Sequence, residues 1–125
     1  MTRQNDDVSL RHTHAPEIDL PAPKPKPTSI TNQLESAVTL WDGGPIAAGV
    51  WECGPGEFTA DRSTTTEVCH IISGSGTVTG QDGVSAEVRA GSLLVLPRGW
   101  RGTWVVRETI RKSYVTIEDL VSRLS

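Results

Sequence analysis

From Val38 onward the apolar residues of this chain fall in short runs separated by turn residues, a pattern that predicts strands rather than helices. Ile46 to Cys53 reads as one strand, closed by Gly54-Pro55-Gly56. Glu67 to Ser73 is another, stopped at Gly74, and Gly76 to Thr79 leads into Gln81-Asp82-Gly83, where Asp-Gly between strand residues signals a hairpin. Val84 to Arg89 returns to a turn at Ala90-Gly91. Ser92 to Leu96 is nearly continuously apolar and ends at Pro97-Arg98-Gly99, and Thr103 to Val106 and Ile110 to Ile117 supply the last strands. Turns at about eight- to twelve-residue spacing predict a β-sandwich or barrel. Thr116-Ile117-Glu118-Asp119-Leu120-Val121 carries a Thr-x-x-Asp capping pattern and predicts a short C-terminal helix.

The start of the chain has a different pattern. Met1 to Asp19 is polar and without period, and Pro21, Pro23, Pro25 and Pro27 then occupy alternate positions around Lys24 and Lys26. Proline at every second residue excludes helix and central strand and favours polyproline II. Residues 1–30 are therefore expected to be a disordered or extended tail, and residues 31–125 the folded domain. Such a tail loses little entropy on docking and is able to lie along a neighbouring subunit. His12 and His14 would share a face on a strand, but no further ligand follows at a suitable spacing, and they read as solvated side chains.

Composition narrows the function classes. A chain of 125 residues suits one domain. Four of the six aromatic residues are Trp, all between Trp41 and Trp104. The net charge of −3, without a basic stripe, argues against nucleic acid as a partner. No apolar run approaches the ~20 residues of a membrane span. The polar N-terminus has no apolar leader core, so a cytoplasmic location is expected, where Cys53 and Cys69 would be reduced and buried.

Two segments resemble the paired motifs of the cupin superfamily. One motif sets Gly five residues before Pro-x-Gly, with a metal-binding His three residues further on. Gly91, Pro97 and Gly99 match it, but Gly102 stands at the His position. The other sets His-x-His three or four residues before a Glu, which a Gly follows after six more. Glu67 and Gly74 match, whereas the His positions fall among Ala60 to Ser63. The chain is most similar to small single-domain cupins of largely unassigned function, related to the ethanolamine-utilisation and ureidoglycine-aminohydrolase types. Gly49-Val50-Trp51-Glu52-Cys53, Glu67-Val68-Cys69-His70-Ile71-Ile72, Pro97 through Trp104, and Arg111-Lys112-Ser113-Tyr114 carry this resemblance. It implies an all-β, double-stranded β-helix (jelly-roll) cupin barrel and a homodimer.

The family's metal sites combine three His with one Glu. Glu67 alone is retained, so no metal cofactor is expected. His70 is an odd number of residues from Glu67 and points to the opposite face of the strand. The same parity turns Glu67, Cys69 and Ile71 inward, and the family position of Gly102 puts Trp104 on that side with Trp100 near the rim. Lys112 shares a face with Tyr114, and Trp51 with Cys53. Arg62, Arg98 and Arg101 fall near the mouth, suited to an anionic ligand. A nucleophilic role for Cys69 is disfavoured, because a carboxylate beside a thiol raises its pKa.

Three functions compete. The first is binding of a small organic, anionic ligand, with Trp51, Cys69, Trp100, Trp104, Arg62 and Arg101 as contacts. If catalysis occurs there, Glu67 is the acid or base, its pKa raised by burial, with Tyr114 or Lys112 as partner. The second is a non-catalytic sensor or assembly module using the proline tail. The third is a metalloenzyme holding a divalent ion through Glu67, Asp61 and atypical ligands.

Overall fold

A computed structural model describes residues 7–118. Among the described residues every regular element is a β-strand: β1 (Lys24–Pro25), β2 (Leu34–Asp42), β3 (Ile46–Cys53), β4 (Gly56–Asp61), β5 (Thr65–Gly80), β6 (Ser85–Arg89), β7 (Leu93–Leu96) and β8 (Arg101–Glu118). All pairings are antiparallel, in the order β1-β2-β3-β8-β5-β6, with β4 on β8 and β7 on β5.

The two long strands make the barrel. β5 and β8 pair from Thr65↔Glu118 to Gly80↔Gly102, and the register slips between Ile71 and Gly76. At those bulges both strands bend. The first half of β5 and second half of β8 join β2, β3 and β7 in one layer. Their other halves join β4 and β6 in the second. Gly74, expected to end a strand, instead sits inside β5 at φ +92°, and a Cβ there would lie 2.1 Å from the Thr109 carbonyl oxygen. The glycine bends a continuous strand rather than ending it.

Alternation along the strands fills the space between the layers. Glu67, Cys69 and Ile71 on β5, Trp104, Val106 and Ile110 on β8, Trp51 and Cys53 on β3, and Phe58 on β4 are all buried. Trp51, Phe58 and Trp104 form one aromatic group. Phe58 stacks on Trp104 at 15° with 5.8 Å between centroids, and Trp51 meets both edge-on. The turns at Asp82-Gly83, Gly91 and Gly99 are present, each glycine at positive φ.

Two expectations are corrected. Thr116 to Glu118, where the capping pattern predicted a helix, close β8 against Thr65 to Glu67, because a paired ladder outweighs a local cap. The rest of that pattern lies outside the described residues. The segment expected as a disordered or extended tail lies on its own barrel. Lys24 and Pro25 pair with β2, Ser36 Oγ donates to the Pro21 carbonyl, and Arg111 Nη1 donates to the Ala15 and Ile18 carbonyls. Ser29 bridges to Phe58 on β4. Proline is compatible with this edge position, where one side of the strand needs no ladder partner.

Gly74→Ala tests the bend. Strain at positive φ and the clash with the Thr109 carbonyl should lower stability by about 2 kcal/mol or more in urea unfolding; an unchanged midpoint would mean that the backbone relaxes there freely.

Candidate functional site

The inner faces converge on a cavity of about 140 Å³ lined by Lys26, Ala37, Trp51, Phe58, Arg62, Glu67, Trp104, Lys112, Tyr114 and Thr116. Register explains who meets whom. Lys112 on β8 is paired between Trp51 of β3 and Ile71 of β5, and Thr116 lies opposite Glu67. Arg62 follows β4 and is pinned by its backbone, which donates to the Trp100 carbonyl and accepts from Gly99. The Pro97-Arg98-Gly99 turn thus fixes a residue that the sequence places far from it.

Glu67 is 2% exposed, and Lys112 and Arg62 replace the water it has lost. Lys112 Nζ lies 2.8 Å from Oε2, and Arg62 Nη2 lies 2.8 Å from Oε1. Burial alone would push the carboxyl pKa up, but the charges of Lys112 and Arg62 and their contacts hold it below its ordinary value of 4.5. This reverses the expectation that burial among Trp rings raises it. Glu67 is a held anion at neutral pH, poorly suited to donate a proton.

Lys112 is itself buried, with its ammonium 4.5 Å from the Trp51 ring centroid and 4.6 Å from that of Trp104. Ring faces stabilise such a cation where water cannot. A second pair mirrors the first. Lys26 Nζ stands 4.4 Å from the Phe58 centroid and 2.9 Å from Glu35 Oε1, which also accepts from Trp51 Nε1 at 2.9 Å. Burial pushes the Glu35 carboxyl up, and these hydrogen bonds and the Lys26 charge bring it below its ordinary value. The aromatic group therefore lies between two Lys–Glu pairs.

Of the residues expected at the site, Glu67, Lys112, Tyr114, Trp51, Trp104 and Arg62 line the cavity. Three do not. Cys69 is packed into the core, and burial raises its thiol to about 11, as it does that of Cys53. Arg101 pairs at 3.3 Å with Asp61 across β4 and β8, both about half exposed, because its odd register turns it outward. Trp100 lies over Gly102, and a Cβ on that glycine would fall 2.5 Å from the Trp100 ring. The indole thus occupies the space that a side chain at the family's His position would take.

Lys26, Glu35, Ala37, Phe58 and Thr116 were not foreseen. Phe58 was detectable in principle, since it alternates with Ala60 after Gly56. Lys26 sat in a segment whose prolines masked its pairing, and Glu35 becomes meaningful only once β1 and β2 are aligned.

These residues do not fit a transition-metal ion. Glu67 is the one anionic donor in the lining, and an ammonium and a guanidinium already occupy its two oxygens. Among the described residues no three His, Cys, Asp or Glu side chains converge.

Residues 41–114 match the family described as the EutQ-like cupin domain. Solved structures agree on the fold. The Clostridium difficile EutQ protein superposes with a TM-score of 0.64 at 21% identity, covering 75% of each chain. The cupin domain of Schizosaccharomyces pombe Cnp3 gives 0.70 at 18%, covering 90% of this chain and 77% of that one. Ectoine synthase from P. lautus gives 0.64 at 17%, covering 73% and 69%. No curated protein sequence matches the chain.

Removing the Glu67 charge should leave Lys112 buried without its anion. Glu67→Gln is expected to lose about 3 kcal/mol at pH 7 in chemical unfolding, and Glu67→Gln/Lys112→Met to recover much of it. The folded pKa is depressed, so the carboxylate stabilises above pH 4.5 and loses its effect as pH falls through the folded value. The gap between wild type and Glu67→Gln should therefore narrow below pH 4.5; a gap that widens there would contradict the assignment.

Proposed function

The chain belongs to the family of EutQ-like cupin domains, and from that premise we propose that it binds a compact organic anion around Glu67 without a tightly held metal ion. The balance of charge carries this reading: Lys26, Arg62 and Lys112 line the cavity against Glu67 alone. Glu35 answers Lys26 from behind, so the lining still favours a further negative charge. The aromatic walls suit a small carbon skeleton and exclude water, which strengthens the attraction between ligand and cations. At about 140 Å³ the cavity is below the ~300 Å³ of drug-sized pockets, which restricts the ligand to a few heavy atoms.

The reading is one of recognition. Glu67 serves as the fixed counter-ion that keeps Lys112 and Arg62 in place, and Lys26 and Arg62, less deeply buried than Lys112, meet the ligand. A homodimer belongs to the same reading, with the outer sheet face covering its exposed Leu93 and Val95 against a second copy. The two free, buried thiols suit the reducing cytoplasm.

Titration of the Trp fluorescence with short carboxylates, using untagged protein dialysed against EDTA, tests the proposal. Binding should survive the chelator, be absent for the matching neutral amides, and weaken about tenfold in Lys26→Met. Binding that returns only when a divalent metal is added would overturn it.

A further inference from the structure

The charged groups around the aromatic walls form one cluster. Glu67 faces Lys112 and Arg62 at 2.8 Å each, and Glu35 faces Lys26 at 2.9 Å. Both ammonium groups stand against the same indole, with Lys112 Nζ 4.5 Å and Lys26 Nζ 5.5 Å from the Trp51 ring centroid. The two ion pairs therefore act on one another and on whatever lies between them. Three cations stand against two anions, which leaves one positive charge in excess. Arg101 and Asp61, and Arg111 and Glu52, pair with each other and add none.

Glu35 decides that excess without facing the cavity. Its side chain is 25% exposed and lies behind Lys26, outside the lining. The hydrogen bonds from Trp51 and Lys26 outweigh its burial, so it is ionised at neutral pH.

We infer that Glu35 sets the charge of the ligand: by cancelling Lys26 it restricts the cavity to a singly charged anion, such as a short monocarboxylate, and rejects dianions. The inference rests on the anion-binding reading above and narrows it. One negative charge neutralises the cluster. A second would stand uncompensated among Trp51, Phe58 and Trp104, stripped of the water that stabilised it in solution. Glu35 thus determines specificity through Lys26 rather than by touching the ligand.

Malonate and malonamate have the same number of heavy atoms and differ by one charge, so they isolate this effect. Titrated by calorimetry into wild-type protein at a pH where both malonate carboxyls are ionised, malonamate should bind at least about tenfold more tightly. Glu35→Gln keeps an oxygen for Trp51 Nε1 and Lys26 Nζ but removes the charge. There malonate should gain at least about tenfold on malonamate. Lys26→Met should shift the ratio the other way. Lys26→Met/Glu35→Gln, with the single excess charge restored, should return it to the wild-type value while both ligands weaken. That double variant decides the matter if Glu35→Gln does not fold, since it leaves no lysine without its carboxylate. Malonate binding wild-type protein as tightly as malonamate, or a ratio that removing the Glu35 charge does not move, would overturn the inference and leave the anion site standing. Binding of neither ligand to wild-type protein would overturn the anion-site reading and this inference with it.

Discussion

A carboxylate withdrawn from water keeps its charge only if other groups replace the solvation it has lost, and the interior of this barrel is arranged around that requirement. Glu67 receives a lysine on one oxygen and an arginine on the other. Lys112, buried in turn, needs more than one carboxylate, and the faces of Trp51 and Trp104 supply it. Arg62 needs a fixed backbone, and the Gly99 and Trp100 backbone groups hold it. Each partner brings a further demand that a neighbouring strand meets, so the charge on Glu67 couples β3, β4, β5 and β8.

The same logic explains how the barrel accommodates an inward glutamate with no histidine in the cavity lining. A metal ion would neutralise an inward glutamate directly. Here two cationic side chains do so, and the Trp100 indole covers Gly102. The outcome is a cavity with aromatic walls in which each oxygen of Glu67 faces a cationic side chain. The second lysine arrives on the proline-rich segment. That segment is thereby part of the site: it adds an edge strand to β2 and carries Lys26 over Phe58.

Legibility in the sequence followed the range of the interaction concerned. Turns set by glycine at positive φ, such as Gly83, Gly91 and Gly99, were readable because one residue decides them. The inward direction of Glu67, Cys69, Ile71 and Trp104 followed from the two-residue period of a strand. The continuity of β5 through Gly74 was not readable, since a bulge and a strand end use the same residue. Arg101 and Arg62 looked alike in sequence, and only the β4–β8 register and the Gly99 turn separate an outward ion pair from a cavity cation. Lys26 and Glu35 were hidden because their partnership depends on where the proline-rich segment docks, which its own pattern does not specify.

The central claim is that Glu67 is an anion pinned by two cations. Following its side-chain carboxyl carbon by 13C NMR as pH is lowered tests this most directly. The account predicts a midpoint below the ordinary 4.5 in the wild-type protein, moving upward in Lys112→Met. A wild-type midpoint raised toward neutrality would contradict it and return Glu67 to the role of a general acid.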